Sequence, residues 1–269
     1  RVTFIPSLKS AKNMIDGESG SLFVLENIRY EKGETTNSAT LGRSIAEIAN
    51  VYINNAFSVC HRKHASVVAV TRYLPSFSGK ALKKEVRQLV GPRDQPLTMV
   101  LGGVKLGTKM PLLLAMEEEI DFLVVGSGLA TAFLSADGVK VTLSEGKKIT
   151  DNEIDFVKKL KKVYGQRIIL PSTLIVKNHG HFRQKPYERT VGEVYDVGFD
   201  AFDQYKDVFA LSKTVIWNGP LGRVEDRRAR AGTRTLVNIL VKQQGLKTII
   251  GGGVIIATIG IHSALALKK

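Results

Sequence analysis

The sequence predicts an α/β fold with parallel sheets. Short apolar segments of strand length, rich in Val, Ile, Leu and Phe, recur along the 269 residues. Segments with apolar residues at helical spacing lie between most of them. Several apolar segments also run directly into glycine-rich turns. Strands that alternate with helices in this way are typical of parallel sheets, because each crossover helix covers one face of the sheet.

Each predicted element follows from one of these two patterns. The predicted strands are Val2–Ile5, Leu22–Leu25, Val51–Asn54, Thr98–Leu101, Phe122–Val125, Arg167–Leu170, Thr214–Trp217 and Thr248–Ile250. The predicted helices are Ser38–Ala49, Lys80–Leu89, Leu112–Glu119, Thr131–Ala136, Asn152–Tyr164, Phe202–Leu211 and Thr233–Gln243. The segment Gly91–Pro96 interrupts both patterns with two prolines and polar residues, so we predict a boundary between domains 1–91 and 92–269.

The composition indicates a globular protein. Hydrophobic residues make up 43% of the chain and charged residues 24%. No apolar run has the length of a transmembrane helix. The single cysteine, Cys60, excludes a disulfide framework and fits a reducing compartment. The chain begins with Arg1, so we expect it to start inside a longer reading frame or after removal of a targeting peptide.

The net charge of +14 is the main compositional signal. Such a charge attracts phosphates, nucleic acid or acidic protein surfaces, and it is equally explained by solubility in an organelle with basic proteins. We therefore favour an organellar, mitochondrial location over the cytoplasm. The arginine-rich segment Gly222–Arg234 and the lysine-rich segment Lys158–Lys162 are candidates for contact with RNA phosphates. For the lysine segment we prefer the alternative, a solvated helix face.

Four glycine-rich turns follow predicted strands in the second domain. They begin at Gly102, Gly126, Gly219 and Gly251. In open α/β sheets, ligands bind beyond the carboxyl ends of the strands. We therefore expect the four turns to converge on one crevice that holds, or once held, an extended phosphorylated ligand. Any single turn has a second explanation, since tight turns between strands and helices often need glycine for their backbone geometry alone.

Six motifs resemble the phosphoglycerate kinase family, in that family's order and at similar spacings over nearly the whole chain. They are Val24-Leu-Glu-Asn-Ile-Arg-Tyr30, Tyr52-Ile-Asn-Asn-Ala-Phe57, His61-Arg-Lys-His-Ala-Ser66, Leu101-Gly-Gly-Val-Lys-Leu-Gly-Thr-Lys109, Val215-Ile-Trp-Asn-Gly-Pro-Leu-Gly222 and Ile249-Ile-Gly-Gly-Gly253. The resemblance implies two Rossmann-like parallel-sheet domains around a hinge, of which the N-terminal one is incomplete here. It also implies phosphoryl transfer between a Mg-nucleotide, on the C-terminal domain, and 3-phosphoglycerate, on the N-terminal domain.

The resemblance also implies roles for individual residues. The positions that match the acid-substrate site are Arg29, His61 and Arg62. The positions that match the nucleotide site are Gly102, Lys105, Lys109, Gly126, Gly128, Asn218, Pro220, Glu225, Gly251 and Gly252. Among them, Lys105 matches the lysine that stabilises charge on the transferred phosphoryl group. The glycines and Pro220 are equally explained by backbone geometry, and we expect His64 to brace its loop.

The sequence departs from the family pattern at several matched positions. In the family, the triple glycine precedes Asp-Thr or Asp-Ser, whose acid serves the metal of the nucleotide. Here Val254 and Ile255 follow, and neither side chain offers an oxygen to a hard cation. Asn55 and Thr108 each replace an acid, and Ser127 interrupts a triple glycine. The family's first strand, with its early arginine, and its Ser-Thr-Gly-Gly-Gly loop are absent from this sequence.

These departures favour a homologue that has lost kinase activity, with Lys105 vestigial and no cofactor or metal ligand expected. We expect it to be a structural subunit of a larger organellar or ribonucleoprotein assembly. The alternative is an active phosphoglycerate kinase that uses Mg-ATP or Mg-ADP. Because the first domain keeps only about three strands of its sheet, we expect other protein subunits to cover an exposed apolar face. RNA is the other candidate partner.

Overall fold

The chain forms two compact units, residues Arg1–Pro92 and Arg93–Lys269. The structure is a computed structural model that describes residues 2–16, 20–103, 109–252, 254–255 and 257–258. The boundary between the units lies within the polar, proline-containing segment Gly91–Pro96.

The first unit is built from two parallel strand pairs with short helices. Strands β1 (Val2–Ile5) and β2 (Leu22–Leu25) pair around helix α1 (Leu8–Ile15). Helix α2 (Ala39–Ala46) follows. Strands β3 (Tyr52–Asn54) and β4 (Ser76–Ser78) form the second pair, and helix α3 (Lys80–Val90) ends the unit. A small core of Ile5, Leu8, Ala11, Leu41, Ala65 and Ala69 packs α1 and α2 against β1.

The strand pairs of this unit expose apolar side chains in register. Val2 lies opposite Leu22, and Phe4 lies opposite Val24, and all four side chains are about half exposed or more. The prediction of three strands in one sheet was wrong, because β1–β2 and β3–β4 form separate two-stranded sheets. Two-stranded parallel ribbons bury too little surface to be stable alone, so this unit relies on its small helical core.

The second unit contains a five-stranded parallel sheet. Its strands are β5 (Leu97–Leu101), β6 (Phe122–Val125), β8 (Ile168–Ile169), β12 (Thr214–Asn218) and β13 (Lys247–Gly251). Their order is β13-β12-β5-β6-β8. Helices α4 (Met110–Ala115), α5 (Ser127–Ala136), α6 (Asp151–Tyr164), α7 (Ala201–Leu211) and α8 (Ala231–Lys242) connect the strands.

Side chains that alternate along β5 point into two different cores. Leu97, Met99 and Leu101 pack with α5 and α6, whereas Val100 packs with α7 and α8. The sheet is therefore covered on both faces, which explains why its strands are apolar throughout. The α/β class with parallel sheets is confirmed. Among the described residues, no helix is both long and apolar enough to cross a membrane.

A second, mixed sheet in this unit was not predicted. It contains β7 (Val141–Leu143), β9 (Thr173–Asn178), β10 (His181–Pro186) and β11 (Gly192–Val197), in the order β10-β9-β11-β7. Strands β9 and β10 form a hairpin whose turn residues, His179 and Gly180, both have positive φ. Strand β10 lies at the edge and its side chains are mostly exposed and polar, so it carries no apolar strand pattern.

Candidate nucleotide site

Four adjacent strands of the parallel sheet end at one edge of the second unit. Strands β5, β6, β12 and β13 are consecutive neighbours, and all run in the same direction. Their carboxyl ends continue into the turns that begin at Gly102, Gly126, Gly219 and Gly252. The fold thus brings the glycine-rich turns of the sequence to the edge where α/β sheets bind ligands.

Two of these turns pack backbone against backbone. The N–H of Gly102 donates to the carbonyl of Asn218 (2.9 Å), and that of Gly103 donates to the carbonyl of Pro220 (2.7 Å). A Cβ added to Gly102 would lie 2.1 Å from the Pro220 oxygen. Gly219 has a φ of +84°, which side chains with a Cβ rarely adopt. Glycine at these positions is therefore explained by the close contact of the two turns.

The amide groups of these turns are already used inside the fold. Besides the two bonds to the β12 turn, the N–H of Gly126 donates to the carbonyl of Leu101 (2.8 Å). An anion at this edge therefore cannot rely on these amides, unlike the phosphate in a nest of free N–H groups. These glycines shape the site, and positive charge must come from a side chain.

Lys109 supplies positive charge at this edge. Its Nζ donates to the carbonyl of Gly102. A Cβ added to Gly219 would lie 3.0 Å from the same Nζ, so the ammonium lies close to both turns. Burial lowers the pKa of Lys109 from 10.5 to about 8. The ammonium is therefore still mostly protonated at neutral pH, and it is partly stripped of water. The predicted catalytic Lys105 lies outside the described residues.

The remaining predicted nucleotide-site residues lie around these turns. Gly251 is the last residue of β13, where it pairs with Asn218, and Gly128 is buried in the first turn of α5. Glu225 is exposed beyond the β12 turn, and its Oε2 lies 4.0 Å from the Nε of Arg223. Its role in an adenosine pocket stays a prediction.

The predicted acid-substrate residues are exposed cations of the first unit. Arg29 lies in a single 3-10 turn after β2, and its N–H is capped by Asn27 Oδ1 (3.1 Å). His61 and Arg62 follow β3 in the next loop. Within the described ranges, none of these three side chains is held in an ion pair. Their guanidinium and imidazole groups therefore stay accessible to an anion, and their predicted role stays a prediction.

His64 has a different environment, in which a buried carboxylate organises the loop. Glu34 is only 2% exposed, and its oxygens accept hydrogen bonds from the backbone N–H (2.9 Å) and the hydroxyl (2.6 Å) of Ser66. The Nδ1 of His64 lies 3.6 Å from Glu34 Oε1. These contacts support the interpretation of His64 as a brace for its loop.

Comparisons with known proteins agree with this arrangement. The family model described as phosphoglycerate kinase matches residues 1–265. This chain belongs to the phosphoglycerate kinase family. It is 32% identical over 247 residues to the phosphoglycerate kinase of Wolbachia sp. subsp. Drosophila simulans (strain wRi), covering 88% of this chain and 62% of that protein. It is 33% identical over 259 residues to that of Ruegeria pomeroyi, covering 92% of this chain and 65% of that protein.

Solved structures of the same family show the same fold. Phosphoglycerate kinase from Coxiella burnetii matches with a TM-score of 0.70 and 28% identity, over 92% of this chain and 65% of that chain. The enzyme from Pyrococcus horikoshii OT3 matches with a TM-score of 0.78 over 99% of this chain and 78% of that chain; at 20% identity it supports the fold alone. This phosphoglycerate kinase family member spans 62–65% of the length of the first two relatives.

The position after the triple glycine does not fit a magnesium ion. Ile255 is fully buried in the core that also contains Trp217, whereas Val254 is 52% exposed at the edge of the sheet. Neither side chain has an oxygen, and Mg²⁺ takes oxygen ligands in near-octahedral geometry. Within the described part of the chain, no group of three His, Cys, Asp or Glu side chains is arranged to hold a metal.

Two other departures from the family pattern have structural explanations. Asn55 Oδ1 accepts hydrogen bonds from the N–H groups of Ala81 (2.9 Å) and Leu82 (3.3 Å), so it satisfies donors in the first turn of α3. The hydroxyl of Ser127 donates to the carbonyl of Leu221 (2.7 Å) and so connects the β6 turn to the β12 turn.

Asp196 is a buried carboxylate that supports the site, and it was not predicted from sequence. It lies where the register between β11 and β9 shifts, a β-bulge that redirects side chains. It is 1% exposed, and it accepts hydrogen bonds from the N–H groups of Val197 (2.8 Å) and Gly232 (2.8 Å). Burial raises its pKa from 3.8 to about 7. A lone Asp in an apolar strand, Tyr-Asp-Val, was the available signal.

Much of the arginine-rich segment Gly222–Arg234 is bound within the unit. Arg223 pairs with Glu145 (2.6 Å), and Arg228 pairs with Asp226 (2.9 Å) and lies over the ring of Phe182. The Nε of Arg230 donates to a backbone carbonyl. These contacts compensate part of the positive charge that the sequence offers to a polyanion.

Proposed function

We propose that this chain forms the nucleotide-binding and acid-binding parts of a phosphoglycerate kinase, which transfers a phosphoryl group between ATP and 3-phosphoglycerate. The observation that carries this proposal is the partly desolvated ammonium of Lys109, held against two glycine turns at the carboxyl edge of the parallel sheet. The family membership and the names of the relatives support it.

Lys109 would act as a counter-charge for the phosphates of the nucleotide. Coulomb interactions strengthen where water is excluded, so an ammonium that is already partly buried interacts with phosphate more strongly than an exposed lysine does. Its single described hydrogen bond, to Gly102 O, leaves further N–H donors for phosphate oxygens. The close-packed turns fix its position, which avoids reorganisation when charge moves during transfer.

The acid substrate would bind to the exposed cations of the first unit. Arg29 and Arg62 offer guanidinium groups, which bind carboxylate and phosphate bidentately. His61 adds a third donor group. Because Val254 and Ile255 supply no ligand for magnesium, no step is assigned to a metal held by this chain.

A second candidate function is that of a non-catalytic structural subunit, and Val254 and Ile255 favour it. Ile255 is fully buried, so the exchange has been accommodated in the core and is not a surface accident. The exposed pairs of β1–β2 also favour it, because apolar patches of this kind mark contact with another polypeptide. In this case the partner would be a protein subunit that covers the β1–β2 face.

Formation of ADP from ATP that depends on 3-phosphoglycerate separates the two candidates. The test compares the chain with Lys109→Met and with the matched control Lys247→Met. The control removes the same charge from the first residue of β13, at the opposite edge of the same sheet. We expect turnover in the chain and in the control, and a loss of about 100-fold or more in Lys109→Met. Absence of turnover in the unchanged chain would contradict the proposed function and favour the structural subunit, and equal turnover in Lys109→Met would contradict the role of Lys109.

A further inference from the structure

Ser127 bonds to the neighbouring turn in a way that a glycine cannot reproduce. It is the first residue of α5, directly after the turn of β6. Its backbone N–H (2.8 Å) and its hydroxyl (2.7 Å) both donate to one acceptor, the carbonyl oxygen of Leu221. Glycine would keep the first bond and lose the second. The side chain is therefore responsible for the second bond between two turns that lie 94 residues apart in sequence.

Leu221 is also held from its other side. Its N–H donates to the hydroxyl of Thr233 (3.0 Å) in the first turn of α8. The following residue, Gly222, packs against the Asp196 carboxylate so closely that a Cβ there would lie 2.3 Å from Oδ1. The β12 turn is thus fixed between α5 and α8, and Ser127 supplies the only side-chain donor from α5 that reaches it within the described residues.

The held residue lies next to the candidate nucleotide site. The carbonyl of Pro220, which precedes Leu221, accepts a hydrogen bond from the N–H of Gly103, and the adjacent Gly219 lies so near the ammonium of Lys109 that an added Cβ would be 3.0 Å from it. Movement of the Leu221 carbonyl would therefore displace the backbone that places Lys109. A turn that is fixed before the ligand arrives does not have to be ordered on binding, and binding is stronger by the ordering cost avoided.

We propose that Ser127 is a positioning residue for nucleoside diphosphate, which preorganises the β12 turn through its hydroxyl. The proposal rests on the proposed function of the site. The departure from the family's triple glycine thus has a role in this chain. The Ser127 hydroxyl adds a fixed contact with Leu221 where a glycine would leave the backbone freer to move. The residue acts through Leu221 and need not touch the nucleotide.

Thr131 provides a matched control in the same helix. Its hydroxyl is fully buried and donates to the carbonyl of Ser127 (2.7 Å). Thr131→Val removes a buried hydroxyl one helical turn away, with no bond to the β12 turn. Ser127→Ala removes the hydroxyl that reaches Leu221. The two variants should lower the melting temperature to a similar extent, so a difference in ligand affinity reports positioning and not stability.

The test is calorimetric titration of the full 269-residue chain with ADP. We expect Ser127→Ala to bind ADP about tenfold more weakly, because the turn must then be ordered on binding without one buried hydrogen bond, whose loss is equivalent to about a tenfold change. Thr131→Val should bind ADP as the unchanged chain does. Ser127→Thr, which keeps the hydroxyl, should restore affinity; if the alanine variant does not fold, Ser127→Gly with the same control decides.

Three outcomes would overturn the inference, and they differ in what they mean for the proposed function. If the unchanged chain binds ADP and Ser127→Ala binds equally well, or if both hydroxyl deletions weaken binding equally, the positioning role is wrong while the proposed function stands. If the unchanged chain does not bind ADP at all, the proposed function fails and the inference fails with it.

Discussion

Replacing Lys109 with methionine tests whether the lysine is placed for function at a cost to stability. The ammonium is partly buried beside the Gly102 carbonyl, and methionine has similar length without charge. In the folded state, burial disfavours the charged form and lowers the pKa of Lys109 from 10.5 to about 8. A lysine kept for structure alone would not need this unfavourable desolvation.

The magnitude follows from the pKa difference. The shift from 10.5 to about 8 corresponds to at most about 3 kcal/mol, and about 2 kcal/mol after a discount for the part of the side chain that stays in water. Between these two pKa values the unfolded chain binds the proton and the folded chain does not. The free energy of unfolding should therefore rise with pH from about 8 to 10.5, and the contribution is lost as the pH falls through 8.

Urea unfolding at a series of pH values from about 7 to about 11, a range that brackets both pKa values of Lys109, would check this prediction. We expect the rise in the unchanged chain and in the control Lys247→Met, and no such rise in Lys109→Met. At neutral pH, Lys109→Met should be as stable as the unchanged chain or more stable, because it loses one hydrogen bond but also the desolvation of a charge. A Lys109→Met curve parallel to that of the unchanged chain would refute the reasoning.

Three further predictions concern the surroundings of the site. Val254→Asp should change the free energy of unfolding by no more than about 0.5 kcal/mol, because the side chain is half exposed. Ile255→Thr should cost about 1–3 kcal/mol, because it places a hydroxyl in the core. Equal costs of the two substitutions in urea unfolding would contradict this difference. The raised pKa of Asp196 predicts a contribution to the free energy of unfolding that is fully present below pH 3.8 and falls by up to about 4 kcal/mol as the pH rises through 7. Asp196→Asn should abolish this pH dependence in thermal unfolding. If the variant kept the same pH profile as the unchanged chain, the carboxyl would not be desolvated. Gly102→Ala should lower the free energy of unfolding by several kcal/mol or prevent folding, since the added Cβ would lie 2.1 Å from a carbonyl oxygen. Gly138→Ala, at positive φ but in open space, should cost only about 1 kcal/mol. Circular dichroism on heating checks this difference, and equal melting temperatures of the two variants would contradict it.

The parallel sheet of the second unit could be predicted from sequence because its strands are buried on both faces. Segments such as Phe122–Val125 are apolar at every position, which only a covered sheet requires. The mixed sheet was missed for the opposite reason. Strand β10 is an exposed edge strand of mostly polar residues, so it shows no alternation of apolar and polar residues that would confirm β9 as its partner. The Asn-His-Gly turn was a usable hairpin signal.

The positions of the site residues could be predicted from sequence more fully than their hydrogen bonds and their burial. The convergence of the turns follows from strand direction and glycine content alone. That the amides of Gly102, Gly103 and Gly126 are consumed by the fold could not be seen, because their acceptors lie far away in sequence. The desolvation of Lys109 and the bond from Ser127 to Leu221 also depend on tertiary contacts. The departures at Val254 and Ile255 were visible in sequence, but only the structure separates the exposed residue from the buried one.

The most direct test of the account is calorimetric titration of the chain with ADP at neutral pH, with and without magnesium, next to Lys109→Met and Lys247→Met. The account predicts binding by the chain and by Lys247→Met, a clear loss in Lys109→Met, and little added affinity from magnesium, because Val254 and Ile255 offer it no oxygen. Absence of ADP binding by the unchanged chain, or equal binding by Lys109→Met, would contradict the assignment of a nucleotide site to this edge of the sheet.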